Sequence, residues 1–182
     1  LEQPDSDLSE WKAIVKRFRE SKDVVTIGLV GKYVALHDAY LSVSQALEDA
    51  GYAQGHRVDI KWIDSEEINQ SNASNILHAL DGIIVPGGFG ERGVEGMVLT
   101  SRYARQHNVP YFGICLGMQI AAIDVAQDLL GLPEADSYEF NPNTPDPVIH
   151  LMEDQRDVTD VGGTLRLGNY ECKLTPGTIA YR

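Results

Sequence analysis

The sequence predicts an α/β fold: an open, mostly parallel sheet with helices on both faces. Three observations predict it. From residue 23 onward, short β-branched and aliphatic runs alternate with helix-length segments. The run Gly82–Val85 is apolar throughout, as a strand buried on both faces must be. Glycines follow three of the runs, at Gly31, Gly87–Gly90 and Gly113–Gly117, near the carboxyl strand ends where open α/β sheets bind ligands.

Taken in order, residues 1–22 stand apart. Asp7-x-x-Glu10 has capping-box spacing, and Leu8, Trp11, Ile14, Val15 and Phe18 recur at helical spacing. The resulting amphipathic helix is too short to be stable unpacked, so its apolar face needs a partner. We read 1–22 as an interdomain linker helix and 23–182 as one incomplete domain. Val24–Val30 is the first strand, and a helix over Asp38–Ala50 stops at Gly51, a C-terminal cap. Val58–Ile63 is the second strand and Glu66–Leu80 a polar-faced helix. Gly82–Val85, Val94–Gln106, Tyr111–Ile114 and Ile120–Leu130 continue the alternation as strand, helix, strand and helix. Beyond residue 131, four prolines (Pro133, Pro142, Pro145, Pro147) mark a loop-rich stretch. Val148–Met152 and Thr164–Cys172 read as a small antiparallel edge, with turns at Gly162-Gly163 and Gly168.

Composition narrows the function. With 182 residues the chain can bury a full core, and 43% hydrophobic content is ordinary for a globular protein. A net charge of −12 disfavours nucleic acid, whose binding rests on phosphate neutralisation by Lys and Arg. No run reaches membrane-span length, so no membrane partner is expected. Cys115 and Cys172 form neither metal-ligand spacing nor a disulfide framework, which points to a reducing, cytoplasmic setting and no metal. Leu1 is not an initiator methionine and no closing helix follows Pro176-Gly177, so a fragment of a longer protein is expected.

The most informative segment is Gly113-Ile114-Cys115-Leu116-Gly117. A strand leads into Gly-x-Cys-x-Gly and a helix follows at once, the arrangement of a nucleophile elbow with sulfur in place of oxygen. Residues without a side chain fit on either side of so sharp a turn. Cys115 then stands at a helix N-terminus, whose partial positive charge favours an anion. In such elbows one oxyanion donor is the amide after the nucleophile, here Leu116, and the second comes from a glycine-rich loop at a neighbouring strand end. Gly88 is the candidate.

Competing motifs fall away. Gly88-Phe89-Gly90-Glu91-Arg92-Gly93 satisfies G-x-G-x-x-G, but it follows the third strand rather than the first. No acidic residue stands at the expected offset, where the sequence reads Val109-Pro110-Tyr111-Phe112. Gly28-Leu29-Val30-Gly31-Lys32-Tyr33 lacks phosphate-loop spacing, and Tyr33, Asp38 and Tyr40 are expected on a loop or interdomain surface. Of the five histidines, His56, His78 and His107 read as surface or structural. His37 and His150 could approach the cysteine, but no pattern marks either as a base.

Pro86-Gly87-Gly88-Phe89-Gly90-x-Arg92-Gly93 and Gly113-Ile114-Cys115-Leu116-Gly117-Met118-Gln119 resemble the class I glutamine amidotransferases. Gly31-Lys32-Tyr33, Asp38-Ala39-Tyr40, Glu139-Phe140, Asn143-Thr144-Pro145-Asp146-Pro147 and Gly162-Gly163-Thr164-x-Arg166-Leu167-Gly168 are similar to the glutaminase domains of the CTP synthase family. The resemblance implies a flavodoxin-like sheet and L-glutamine as substrate. It implies Cys115 as a nucleophile forming a glutamyl thioester, with Gly88 and Leu116 amides on the oxyanion. It implies Phe89, Gly117, Met118, Gln119 and Glu139 around the substrate, with Glu139 on the α-ammonium group. It further implies a synthase domain outside this chain that aminates UTP to CTP with ATP and magnesium, and no cofactor in this domain. GTP as an effector near Arg92 and a homotetramer for the full-length protein complete the expectation. Two departures stand out. Met97 follows Val94-Glu95-Gly96 where the family has lysine, and the family's His-x-Glu pair occurs nowhere in residues 1–182. A catalytically silent regulatory or oligomerisation fragment, and a cysteine-elbow protein of the peptidase or chaperone kind, are the alternatives.

Overall fold

The structure, a computed structural model, describes residues 6–151, 169 and 171–181. It divides into two compact units, Leu1–His150 and Leu151–Arg182. Among the described residues of the first unit, four parallel strands form one sheet. They are β1 (Val24–Gly31), β2 (Arg57–Asp64), β3 (Gly82–Val85) and β4 (Tyr111–Gly113), in the order β2-β1-β3-β4. β1 pairs with β2 from Val24↔Arg57 to Gly31↔Asp64, and β3 pairs with β4 from Ile83↔Tyr111 to Val85↔Gly113. Parallel neighbours need crossovers, which α2 (Leu41–Gln54), α3 (Ala73–Leu77) and α4 (Val94–Gln106) supply. α1 (Ser9–Glu20) precedes the sheet and α5 (Leu116–Asp128) follows β4.

Residue alternation sends side chains to two cores. Val30, Ile83 and Val85 join Leu77, Met97, Leu116, Ile120 and Ile123 in one buried cluster. Their neighbours Leu29 and Ile84 join Val34 and Tyr40 in the other. Both faces of β1 and β3 are therefore covered, which is why Gly82–Val85 tolerates no polar residue. Each fully buried aliphatic side chain contributes about 1.5–3 kcal/mol. Met97 is completely buried, so its methionine serves packing between α4 and the sheet.

A buried carboxylate lies between α4 and α5. Asp124 on α5 is fully buried; it accepts from Arg102 Nε at 3.0 Å, from Arg105 Nε at 3.1 Å and from Ser101 Oγ at 3.3 Å. Asp128 joins the network by accepting from Arg105 Nη2 at 2.6 Å, and that guanidinium holds its carboxyl below the usual carboxylate range. The cluster clamps α4 against α5, the helix that carries the end of the elbow.

Several boundaries differ from expectation for identifiable reasons. α2 runs through Gly51 and ends at Gly55, which takes φ 76° and caps it. Gly51 is instead buried where a Cβ would press on Val58 Cγ2, 2.6 Å away. A 3-10 turn, His37–Tyr40, precedes α2, and Tyr40 is core rather than surface: its hydroxyl accepts the Lys32 amide at 3.2 Å. The helix expected over Glu66–Leu80 shrinks to Ala73–Leu77. There, the Asn72 side chain takes the Asn69 amide at 2.8 Å and donates to the Glu67 carbonyl at 2.8 Å, so local side-chain bonds compete with the helix. In α1, Asp7 accepts the Ser9 amide at 2.9 Å, and the helix begins one residue later than a box at Asp7 would set it. Its apolar residues touch α2 only in part, through Phe18 against Tyr52 with ring centroids 4.4 Å apart.

Beyond α5, β5 (Asp136–Ser137) pairs with β6 (Pro147–Ile149) in parallel. The antiparallel edge expected at Val148–Met152 is thus a short parallel pair in its described part. The turns at Gly162-Gly163 and Gly168, and most of the strand over Thr164–Cys172, lie outside the described residues. In the second unit, Thr178 closes a turn onto Thr175 and leads to a 3-10 turn, Ile179–Tyr181.

Removing the clamp tests this account. Asp124→Ala strands two arginines that remain partly open to water, so the loss should fall at the low end for a broken buried pair, about 3 kcal/mol by urea unfolding. A loss below about 1 kcal/mol, the range of an exposed pair, would show that the network does not hold α4 to α5.

Candidate active site

Cys115 is the N-cap of α5 and carries φ 53° and ψ −106°, outside the regions that L-residues ordinarily occupy. Strain of this kind persists only where the surroundings over-determine it. Here they do. Ile114 donates its amide to the Val85 carbonyl at 2.9 Å, tying the turn to the end of β3. The Cys115 carbonyl accepts the Met118 and Gln119 amides at 3.1 and 3.2 Å, starting the helix without an intervening loop. Tyr111 on β4 donates its hydroxyl to the Gly117 carbonyl at 2.8 Å, and burial pushes the Tyr111 phenol up, keeping it a neutral donor.

Both flanking glycines are required. A Cβ on Gly113 would overlap the backbone of Gly117 and Met118, and one on Gly117 would overlap the Val85 carbonyl oxygen. α5 therefore packs backbone to backbone against the ends of β3 and β4. The result is an exposed cysteine on a rigid corner.

The glycine-rich loop after β3 lies against that corner. A Cβ on Gly87 would stand 3.5 Å from Cys115 Cβ and 3.9 Å from its Sγ, and one on Gly88 would stand 3.4 Å from Leu116 Cδ2. Among the described residues, neither the Gly88 nor the Leu116 amide donates a hydrogen bond, leaving both N–H groups for a ligand. Gly90 adopts φ 74° and donates its amide to Glu139 Oε1 at 2.8 Å. Glu139 thus reaches the loop from the segment between β5 and β6. Phe89 and Met118 are exposed, and Gln119 is half-buried on the first turn of α5.

These contacts set Gly87 against Cys115, Gly88 against Leu116, and Glu139 on the Gly90 amide of the same loop. Arg92, by contrast, is engaged: it forms an ion pair with Glu66, donates Nη2 to the Lys32 carbonyl at 2.8 Å and lies 5.7 Å from the Tyr33 ring centroid. His37 stacks on Trp62 with centroids 4.1 Å apart, and His56, His78 and His107 each contact a backbone carbonyl. His150 lies just beyond β6. Sequence reasoning gave Lys32 no place of its own. Its signal was the Gly31-Lys32-Tyr33 string at the carboxyl end of β1, next to β3 in the sheet.

The family model for "Glutamine amidotransferase class-I" matches residues 35–181. This chain belongs to the class I glutamine amidotransferase family. The curated relatives are consistent in kind. A CTP synthase of Pelotomaculum thermopropionicum is 52% identical over 176 residues, covering 97% of this chain and 33% of the relative. That of Geobacillus kaustophilus is 54% identical over 177 residues, with the same shares covered. The amidotransferase chain thus spans about one third of the length of these relatives. Among solved structures, the Trypanosoma brucei CTPS glutaminase domain with bound acivicin superposes with a TM-score of 0.69 at 42% identity. The match covers 73% of this chain and 52% of that one.

The elbow geometry makes a direct prediction. Gly117→Ala pushes a methyl into the Val85 carbonyl and should cost about 2–3 kcal/mol by urea unfolding. Gly131→Ala, where φ is 70° but the space is open, should cost only about 1 kcal/mol. Equal losses at the two positions would contradict the close approach of α5 to β3.

Proposed function

We propose that this chain is the glutamine-hydrolysing part of an enzyme that uses the released ammonia to aminate UTP to CTP. The observation that carries the reading is the positive-φ Cys115 seated against the Gly87-Gly88 loop at the start of α5. Family membership and the CTP synthase relatives support it.

In this reading the Cys115 thiolate adds to the side-chain amide carbon of L-glutamine. The carbonyl oxygen gains negative charge and is held by the Gly88 and Leu116 amides, each such donor being worth about 3–4 kcal/mol in the transition state. The C–N bond then breaks, the amide nitrogen takes up a proton and leaves as ammonia, and a glutamyl thioester remains on Cys115. Water cleaves the thioester, giving glutamate and the free thiol. Glu139 pairs with the substrate α-ammonium through the carboxylate oxygen that Gly90 does not occupy, while Phe89, Gly117, Met118 and Gln119 shape the site. Proton transfer falls to the family's His-x-Glu pair, which residues 1–182 do not contain.

Ammonia passes, on this proposal, to a synthase domain of the same polypeptide, where ATP and magnesium activate UTP. Among the described residues, no three His, Cys, Asp or Glu side chains gather as a metal site would need. GTP as an effector would engage Arg92 in competition with Glu66. A homotetramer and a cytoplasmic location complete the proposal; no helix among the described residues is long and apolar enough to cross a membrane.

An electrophilic L-glutamine analogue should label Cys115 and spare Cys172 in peptide mass spectrometry, and Glu139→Gln should raise the half-saturating concentration about tenfold. Labelling at Cys172 instead would sink the assignment. Glutamine turnover by this chain alone should be slow; rapid ammonia release would show that His37 or His150 serves as the base.

A further inference from the structure

Lys32 is a buried cation that the proposed chemistry does not use. It is only 3% exposed, an uncommon state for a lysine without a carboxylate partner in direct contact. Its ammonium donates to the Phe89 carbonyl at 3.1 Å and to the Gly90 carbonyl. The Phe89 carbonyl and the Gly90 N–H belong to one peptide group, and that N–H donates to Glu139 at 2.8 Å. One peptide plane is therefore pinned at its oxygen by a cation and at its nitrogen by an anion, with its dipole aligned between them. The plane begins one residue after Gly88.

Lys32 is itself fixed. Its amide donates to the buried Tyr40 hydroxyl at 3.2 Å, and its carbonyl accepts from Arg92 Nη2 at 2.8 Å. Its stem fills the space beside Gly88, where a Cβ would come within 3.3 Å of Lys32 Cδ. Burial pulls its ammonium pKa down, and the nearby Glu139 carboxylate opposes that shift. A buried ammonium costs desolvation, so its retention here calls for a role beyond packing.

We propose that Lys32 is a positioning residue, holding the Gly88-Phe89-Gly90 loop so that the Gly88 amide is set for the oxyanion before substrate arrives. This rests on the amidotransferase reading of Cys115. The loop's glycines leave it otherwise free to rotate its peptide planes, and misplacing an oxyanion donor by about 1 Å costs up to about a hundredfold in rate.

The test compares two reagents on the full chain. An electrophilic L-glutamine analogue, with its D-enantiomer as control, reads recognition and oxyanion stabilisation at Cys115. Iodoacetamide reads thiol access alone. Lys32→Met should lower the analogue's maximal inactivation rate, kinact, by at least about tenfold while its half-saturating concentration, KI, changes less than about threefold. Iodoacetamide labelling of Cys115 should stay within about twofold, and Lys32→Arg should recover most of kinact by restoring a cationic donor. An unchanged kinact, a loss confined to KI, or an equal loss with iodoacetamide would overturn the proposal. Should Lys32→Met fail to fold, Lys32→Gln carries the same comparison, because it keeps a neutral donor and loses the charge. If wild type shows no preference for the L-analogue over the D-enantiomer, the amidotransferase reading fails instead, so the two failures are distinct.

Discussion

The Val85 carbonyl occupies the space that a side chain at position 117 would need, and much of the site depends on that crowding. The same oxygen accepts the Ile114 amide, so the last residue of β3 holds both arms of the turn that follows β4. With Gly113 and Gly117 pressed backbone to backbone, the chain has no room for a gradual loop between strand and helix. Cys115 must take up the whole change of direction, and its positive φ is the consequence. The strain is sustained by the parallel pairing of β3 with β4 and by burial of Leu116 and Ile120 beneath the helix.

Charge is organised around that corner rather than spread over it. The chain is strongly acidic, yet the segments at the carboxyl ends of β1 and β3 present Lys32 and Arg92, balanced by Glu139 and Glu66. The pairs differ in burial. Arg92 and Glu66 are about half exposed, where an ion pair contributes little to stability, whereas the Lys32 ammonium is enclosed and acts on main-chain carbonyls. Further along α5, Asp124 and its two arginines anchor the helix to α4. The helix that bears Leu116 and Gln119 is thus secured at both its first turn and its last.

How legible this was in the sequence depended on the range of the interactions. Strands β1 to β4 and helix α4 followed from local pattern, because burial on both faces leaves an unmistakable apolar run at Gly82–Val85 and a helical period over Val94–Gln106. The elbow was legible because close approach leaves glycines at fixed spacing. The helix over Glu66–Leu80 was misjudged because periodicity does not register the Asn69 and Asn72 side chains that take over the backbone bonds. Gly51 and Gly55 exchanged roles because a buried glycine and a capping glycine look alike in a sequence. Tyr40 was expected on a surface, and Lys32 was given no role, for a related reason. Their partners, the amides at Lys32 and Tyr33 in one case and the carbonyls at Phe89 and Gly90 in the other, are brought close only by the fold.

The central claim is that the strained Cys115 and the glycine-rich loop form one preorganised site for a glutamine side chain. A crystal structure of the protein alkylated by an electrophilic L-glutamine analogue tests it most directly. The account predicts a bond to Cys115 Sγ, the analogue's carbonyl oxygen within hydrogen-bond distance of both the Gly88 and Leu116 amides, and its α-ammonium on Glu139. An adduct whose oxygen faces solvent, with the loop amides unengaged, would contradict it.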